Sequence, residues 1–303
     1  MASSVVRGSH KGESHGGVYL VDLQSREVVQ TIDWNTVDID WQGRGWDRGL
    51  RGIAFDGDLV YMASSDELFA YTPDFRRVGS WRSPFLKHCH EIHIFGRELF
   101  LTSTGFDSIL GFNLDQQIFD WAMHVQMRQY RFSFVRFDPL GEQGPLPLNK
   151  LHINSVYADE TGMYIGGRNT GGLLQYSGKR IQMSIELPPG THNARPFRDG
   201  VLFNDTDAST LRYSGRDDRE DRVMKVPSYD ISSLTFRDAD SSGIARQGFA
   251  RGLCLLTDSV VAGGSSPSTV TIYNLKANEI LMSVNLTRDL RNAIHGLEVW
   301  PFD

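Results

Sequence analysis

The sequence of 303 residues has little cysteine and no long apolar run. Its two cysteines, Cys89 and Cys254, are too few for the disulfide framework of a small secreted protein, and they favour a reduced, cytoplasmic protein. No stretch approaches the roughly 20 apolar residues of a membrane-spanning helix, and the first residues lack the apolar core of a signal peptide. The net charge is only -6 and no run rich in Lys or Arg occurs. Neither nucleic acid nor a membrane is therefore expected as a partner.

The sequence contains one short motif that occurs six times. Each copy opens with a basic or imidazole residue and continues into an apolar run, and the first five copies add a turn and a second apolar run. The copies begin at Arg51, His90, His152, His192, Arg251 and His295. A spacing near 40 residues, with short strands and turn residues, is typical of the blades of a β-propeller. The sequence therefore predicts a repeat protein built from β-strands.

The two ends of the chain complement each other. Three apolar segments near the N-terminus, in residues 3–8, 16–22 and 27–34, lack a leading inner strand, whereas the sixth copy at 295–300 lacks the rest of its blade. Pairing the two would complete one blade and remove the free edges of an open sheet. We predict an all-β, six-bladed β-propeller, closed by mixing N- and C-terminal strands in one blade, as a single domain over residues 1–303.

Three connections are longer than a turn. Residues 35–50, 125–150 and 228–250 each join the outermost strand of one blade to the innermost strand of the next. Long loops on a rigid scaffold commonly carry binding residues. We predict that these three segments form a lid over the mouth of the central channel, and that 125–150 and 228–250 contribute no blade strand.

Four of the nine histidines occupy the same position of the repeat: His90, His152, His192 and His295. Inner strands crowd around the propeller axis, so these side chains can converge. Imidazoles without acidic ligands suit Zn, Fe, Cu, Ni or Mn rather than Ca or Mg. We predict that the four hold one divalent transition metal. Two alternatives remain open, a structural polar ring that fills the channel and a metal-free His/Arg site that binds an anion.

The other histidines and several polar residues receive lesser roles. His93 is predicted at most to contact a metal ligand without binding the metal itself. His88 is predicted to lie at the channel mouth, and His10, His15 and His124 are predicted to face solvent. A ligating imidazole usually donates its second N–H to a carboxylate or carbonyl. The candidate acceptors that follow a ring histidine closely are Glu91, Asn154, Asn193 and Glu298. A hydrogen bond to a neighbouring blade is the alternative for each of them.

The two remaining positions of the ring carry Arg51 and Arg251, which flank His295 in ring order. A guanidinium group is permanently charged and can bind a carboxylate or phosphate through two parallel hydrogen bonds. We predict that both arginines bind a small anionic substrate and act as catalytic residues. Ion pairs with Asp47 or Asp230 are the alternative.

The copies of the motif that begin at Arg51, His152, His192 and Arg251 resemble the repeats of uncharacterised bacterial propeller proteins, which are loosely related to the gluconolactonase-like group. That group holds its metal with Glu, Asn and Asp, so its activity does not carry over. The predicted arrangement of four histidines around the propeller axis is similar to that of carotenoid-cleaving oxygenases. Those enzymes have seven blades and hold Fe(II) on four histidines. The arrangement is also similar to that of oligogalacturonate lyases, which use a Mn-type ion on axial histidines.

These resemblances imply a metal-dependent enzyme acting on a small anionic substrate. Fe(II) and an oxidoreductase or oxygenase activity are favoured, and a lyase or epimerase with Mn or Zn is the alternative. The present sequence departs from both families in having six blades and two arginines in the ring. A non-catalytic propeller that serves as a binding module also stays open.

Overall fold

The computed structural model of the chain describes residues 1–10, 12–35, 49–215, 217, 220–238 and 245–302. Some strands alternate partly buried and exposed residues, as in Arg77–Arg82, and others bury both faces, as in Leu59–Ala63. In chain order they are β1 Ala2–Val6, β2 Gly17–Val21, β3 Val28–Asp33, β4 Ile53–Asp56, β5 Leu59–Ala63, β6 Glu67–Tyr71, β7 Arg77–Arg82, β8 Ile92–Phe95, β9 Glu98–Ser103, β10 Ser108–Asn113, β11 Ile118–Arg128, β12 Arg131–Phe137, β13 Ile153–Asp159, β14 Gly162–Gly167, β15 Gly172–Tyr176, β16 Ile181–Glu186, β17 Thr191–Phe197, β18 Gly200–Asp205, β19 Thr210–Ser214, β20 Arg222–Lys225, β21 Leu253–Leu255, β22 Val260–Ser265, β23 Thr269–Asn274, β24 Glu279–Asn285 and β25 Asn292–Leu297. Two 3-10 turns lie at Thr104–Phe106 and Ile231–Ser233.

These strands form six antiparallel sheets, which confirms the predicted six-bladed β-propeller. We number the blades in ring order. Their strand orders are β25-β1-β2-β3 for blade 1, β4-β5-β6-β7 for blade 2, β8-β9-β10-β11-β12 for blade 3, β13-β14-β15-β16 for blade 4, β17-β18-β19-β20 for blade 5 and β21-β22-β23-β24 for blade 6. Of the residues that the structure describes, none forms a helix long and apolar enough to cross a membrane.

The chain divides into two compact units, and the boundary at Phe203 falls within β18. The first unit comprises Met1–Arg51 with Asn204–Asp303, and contains blades 1 and 6. The second comprises Gly52–Phe203, and contains blades 2, 3 and 4. The assignment of one domain to residues 1–303 stays a prediction.

Blade 1 confirms the predicted closure by the two ends of the chain. Strand β25 pairs with β1, with Leu297 opposite Ala2 and Gly296 opposite Ser3. The C-terminal strand nevertheless begins three residues earlier than the predicted segment 295–300. This register buries Ala293 and Ile294 and leaves Val299 53% exposed. Burial of apolar surface therefore selects the earlier residues for the strand.

The prediction that residues 125–150 supply no blade strand is wrong. Strand β11 continues to Arg128, and β12 pairs with it along its whole length as the fifth strand of blade 3. Gln129 and Tyr130 form the turn, both with positive φ. Phe134 of β12 packs on the ring of Tyr176 in blade 4 at a centroid distance of 4.9 Å. Residues 36–48 and 239–244, which include Trp41 and Trp46 of the predicted lid, lie outside the described residues.

Candidate functional site

Three of the four predicted histidines converge in the unit Gly52–Phe203. His90 lies two residues before the inner strand of blade 3, His152 directly precedes that of blade 4, and His192 is the second residue of β17 in blade 5. Their ligand atoms all lie within 4.8 Å of one another. The ring centroids are 5.4 Å apart for His90 and His152, 6.1 Å for His90 and His192, and 6.3 Å for His152 and His192. His192 is buried, and the other two residues are partly buried.

Backbone carbonyls orient two of these imidazoles in the same way. Nδ1 of His90 hydrogen-bonds the carbonyl oxygen of His88 at 2.8 Å, and Nδ1 of His192 hydrogen-bonds that of Gly190 at 2.9 Å. A carbonyl can only accept, so each Nδ1 carries a proton. In a neutral ring the lone pair then belongs to Nε2. Both rings therefore adopt the tautomer that binds a metal through Nε2.

Thr104 adds a second partner for His90 and links it to the neighbouring blade. Its Oγ1 lies 2.8 Å from Nδ1 of His90. The same hydroxyl donates its proton to the carbonyl oxygen of Ile153, the residue after His152. It therefore accepts from the His90 ring, and one buried hydroxyl fixes an imidazole of blade 3 against the strand that follows His152.

Asp107 holds the backbone at His152. Its buried carboxylate accepts three successive backbone N–H groups, from Lys150 at 2.6 Å, Leu151 at 3.1 Å and His152 at 2.8 Å. His152 itself has a φ of 52°, in the left-handed region, which is uncommon for a residue with a side chain. Sequence reasoning missed both Asp107 and Thr104, because a Thr or Asp in a turn between strands is common without any such role.

The predicted side-chain acceptors connect strands instead of the two ring Nδ1 atoms. The carboxylate of Glu91 accepts from the backbone N–H of Val156 and from the amide of Asn193, both at 3.2 Å. Asn154 donates to the carbonyl oxygen of Thr191 at 3.0 Å. Nδ1 of His90 has the carbonyl oxygen of His88 and the hydroxyl of Thr104 as acceptors, and Nδ1 of His192 has the carbonyl oxygen of Gly190. Glu91, Asn154 and Asn193 make hydrogen bonds to neighbouring blades, which was the alternative for them. Glu91 and its neighbours stabilise the relative position of blades 3, 4 and 5.

Two other histidines have structural partners. His93 donates from Nε2 to the carbonyl oxygen of Ala158 at 3.0 Å, and burial lowers the pKa of its imidazole. His15, predicted to face solvent, is fully buried, with Nδ1 2.6 Å from Oγ of Ser9. The prediction for His15 is wrong because its backbone bonds both Val6 and Trp34, which draws it into the sheet.

His295 belongs to the other compact unit and has different neighbours. It is the fourth residue of β25 rather than a residue at the strand start. Nδ1 hydrogen-bonds the carbonyl oxygen of Ala293 at 3.1 Å, and Nε2 accepts from Nη1 of Arg251 at 2.8 Å. Both ring nitrogens are thus engaged. His295 as a fourth ligand stays a prediction that requires Arg251 to release Nε2.

Arg51 and Arg251 surround His295 with positive charge. The two arginines are 1% and 6% exposed. Burial is the main cause that holds the pKa of His295 well below its ordinary value, and the charges of Arg251, Arg51 and Arg7 lower it further. The guanidinium carbons of Arg251 and Arg7 lie 4.5 Å and 4.6 Å from the centroid of the Phe249 ring. These side chains form a buried, cationic group that suits an anion.

Of the two carboxylates weighed as alternative partners for the arginines, Asp230 is described by the structure. It caps the 3-10 turn Ile231–Ser233, where it accepts from the backbone N–H of Ser232 at 2.8 Å. Asp47 lies outside the described residues.

No protein-family model matches the sequence, and no curated protein matches it. Solved structures do match. A nidogen/laminin complex matches with a TM-score of 0.58 and 10% identity, over 98% of this chain and 96% of that chain. A catalytically inactive variant of virginiamycin B lyase from Staphylococcus aureus, with quinupristin, matches with a TM-score of 0.49 and 12% identity, over 82% of this chain and 73% of that chain.

The selenomethionine form of the same lyase matches with a TM-score of 0.48 and 10% identity, over 78% of this chain and 70% of that chain. Identities this low concern the fold alone, and the nidogen/laminin match, with its TM-score of 0.58, supports the β-propeller. The resemblances to gluconolactonase-like proteins and to carotenoid-cleaving oxygenases stay predictions from the sequence.

Proposed function

We propose that this protein is a metal-dependent enzyme in which His90, His152 and His192 hold one divalent transition metal. The observation that carries the proposal is the approach of three imidazoles, from three consecutive blades, to within 4.8 Å of one another. Three neutral imidazoles suit Zn, Fe(II) or Mn, and three protein ligands leave a coordination position for substrate or water.

The residues fit such an ion in their protonation as well as their position. Nε2 of His90 and His192 carries the lone pair, because Nδ1 of each ring donates to a carbonyl. Bonds of roughly 2.0–2.1 Å bring tetrahedral ligand atoms to about 3.3 Å from one another. The ligand atoms therefore need to close by a small rotation of the rings. A bound ion would supply Lewis acidity or, as Fe(II), chemistry with oxygen.

Two activities follow from the choice of metal. We favour Fe(II) and an oxidoreductase or oxygenase, on the resemblance of the histidine ring to that of the carotenoid-cleaving oxygenases. A lyase or epimerase with Zn or Mn is the second candidate. The observation that favours it is the three-histidine set itself, which is the ligand set of one class of catalytic zinc sites.

The proposed substrate is small and anionic. Support comes from Arg51 and Arg251, which are buried and carry fixed positive charges. In the repeat they occupy the positions that the histidines hold in other blades. Their guanidinium groups would bind a carboxylate or phosphate of the substrate and orient it.

Metal analysis tests this proposal. The protein, without a polyhistidine tag, is purified anaerobically, incubated with Fe(II), Mn or Zn, desalted and analysed by mass spectrometry of its metals. We expect about one ion per chain in the wild type and a loss of most of it in His152→Ala. His10→Ala is the matched control, because His10 is exposed and outside the three-histidine group.

Iron with oxygen consumption would support the oxygenase, and Zn or Mn would support the lyase or epimerase. A wild-type protein that takes up no metal, or a His152→Ala variant with full occupancy, would overturn the metal site. The histidines would then form a structural polar ring, and the propeller would be a binding module.

A further inference from the structure

A cavity of about 230 Å³ lies between blades 6 and 1, in the unit Met1–Arg51 with Asn204–Asp303. Its wall is formed mainly by small and aliphatic side chains of both blades, including Ala2, Cys254, Ala262, Val270 and Leu297. The carboxylate of Glu298 and the indole of Trp300 complete it. Ala2, Cys254, Ala262, Val270 and Leu297 of this wall belong to one hydrophobic cluster between the two blades. The buried Met1 also lines the cavity, and its terminal ammonium donates to the carbonyl oxygen of Glu298 at 2.8 Å.

The cavity coincides with one position of the repeat. Counted from the hairpin turn, the third residue pair between the first two strands is Ala54–Tyr61 in blade 2, His93–Phe100 in blade 3 and Tyr157–Tyr164 in blade 4. The second strand thus carries an aromatic residue in all three blades. In blade 6 Leu256 bonds Val260 next to the turn and Leu255 faces Val261, so the third and equivalent pair is Cys254–Ala262. Ala262 therefore stands where blades 2, 3 and 4 have a ring.

In blades 2, 3 and 4 this aromatic ring packs against the blade that follows. Tyr61 lies in a cluster with Leu99 and Phe112 of blade 3, with ring centroids 6.4 Å from Phe112. Phe100 lies in a cluster with residues of blade 4, and Tyr164 packs on a cluster with residues of blade 5. Ala262 lies in the equivalent cluster between blades 6 and 1. The missing ring leaves its space empty between those two blades.

The size of this space defines what it can hold. An apolar cavity of about 150 Å³ stays dry and binds benzene, so a cavity of 230 Å³ has room for two fused rings. The thiol of Cys254 offers a soft, polarizable surface to a ring. The carboxylate of Glu298 can accept a hydrogen bond from an N–H group at the edge of such a ring.

We propose that the cavity between blades 6 and 1 binds a flat, uncharged ring compound of about the size of indole, in the position that an aromatic side chain occupies in blades 2, 3 and 4. This site involves neither the three histidines nor the two arginines. It is therefore independent of the proposed function. Its ligand supplies the packing that the chain itself supplies in blades 2, 3 and 4.

Indole is the probe that tests the proposal. In calorimetry and thermal unfolding of the full chain, we expect indole to bind with one site per chain and to raise the Tm of the wild type. Ala262→Phe supplies the ring that blades 2, 3 and 4 carry, and it should weaken indole binding at least tenfold. Val29→Phe is the matched control, because Val29 is a 60% exposed residue of blade 1, and it should bind indole as the wild type does.

Ala262→Leu is a second variant in case the larger side chain overfills the cavity and prevents folding. It should also weaken indole binding at least tenfold. Absence of indole binding to the wild type would overturn the proposal and identify the cavity as a packing defect. Equal binding of indole by the wild type and by a folded Ala262→Phe or Ala262→Leu protein would also overturn it, because the ligand would then bind elsewhere.

Discussion

Arg251 donates a hydrogen bond from Nη1 to Nε2 of His295 over 2.8 Å. A cation can donate only to a nitrogen that has a lone pair, so the imidazole of His295 is neutral. The second ring nitrogen donates to the carbonyl oxygen of Ala293. Nε2 of His295 is thus engaged by Arg251, and a metal ion at His295 would have to displace this hydrogen bond.

The neutral state of His295 should make stability depend on pH. Burial, followed by the charges of Arg251 and Arg51, holds its pKa below the value of about 6.5 that an unfolded histidine has. The unfolded chain therefore takes up the proton first as the pH falls. We expect the contribution of His295 to the free energy of unfolding to be complete above about pH 6.5. This contribution should decrease as the pH falls below that value toward the pKa of His295 in the folded protein.

Urea unfolding from about pH 8 to about pH 5 measures this dependence. The His295→Gln variant cannot titrate at this position, so its free energy of unfolding should fall less steeply over the acidic part of the range. His93→Gln serves as a comparison, because burial also lowers the pKa of His93. Parallel curves for the wild type and His295→Gln would contradict the prediction.

Thr104 should control the affinity of the proposed metal site without being a ligand. Thr104→Val keeps the shape of the side chain but removes the hydroxyl that links His90 to the carbonyl oxygen of Ile153. Loss of such a partner commonly lowers metal affinity about 10–100-fold. Competition with a Zn chelator should show a decrease of that size in Thr104→Val and a near-normal affinity in Thr104→Ser. Equal affinities in all three proteins would show that the hydroxyl does not orient the ring.

Arg51 should bind anions and leave the metal in place. Arg51→Met keeps the aliphatic part of the side chain but removes its charge. We expect inorganic phosphate to raise the Tm of the wild type by mass action and to raise that of Arg51→Met less. Metal content should be equal in both. Arg82→Met is the control, because Arg82 pairs with Glu67 at the surface of blade 2; the same loss of the phosphate effect in this control would argue against a specific site.

The hairpin of β11 and β12 should stabilise blades 3 and 4 through Phe134 rather than through its turn. Phe134→Ala removes the ring that contacts Tyr176, and we expect the free energy of unfolding to decrease by about 1–3 kcal/mol. Tyr130, at the turn, is 97% exposed, so Tyr130→Ala should change stability by no more than about 0.5 kcal/mol. Chemical denaturation compares the two. A larger loss for Tyr130→Ala would mean that the hairpin tip, not its edge, carries the packing.

Most of the architecture could be predicted because its signals are local. A strand alternates its side chains with a period of two, and the repeat length limits each blade to a few strands and turns. The fifth strand of blade 3 was missed because Phe132 and Phe134 also suit an aromatic loop. Only their pairing with β11 and the contact with Tyr176 distinguish a strand from a lid.

The sequence by itself determined the six repeats, the closure of blade 1 by both ends of the chain, and the positions at which His90, His152 and His192 stand. The tertiary structure decided which of these side chains meet and which partners orient them. A repeat position specifies a residue only to within the register of its strand, and β25 carries His295 at its fourth residue, where Arg251 reaches Nε2. Likewise, Ala262 is an ordinary strand residue in the sequence, and the cavity beside it exists only because two blades pack around a missing ring.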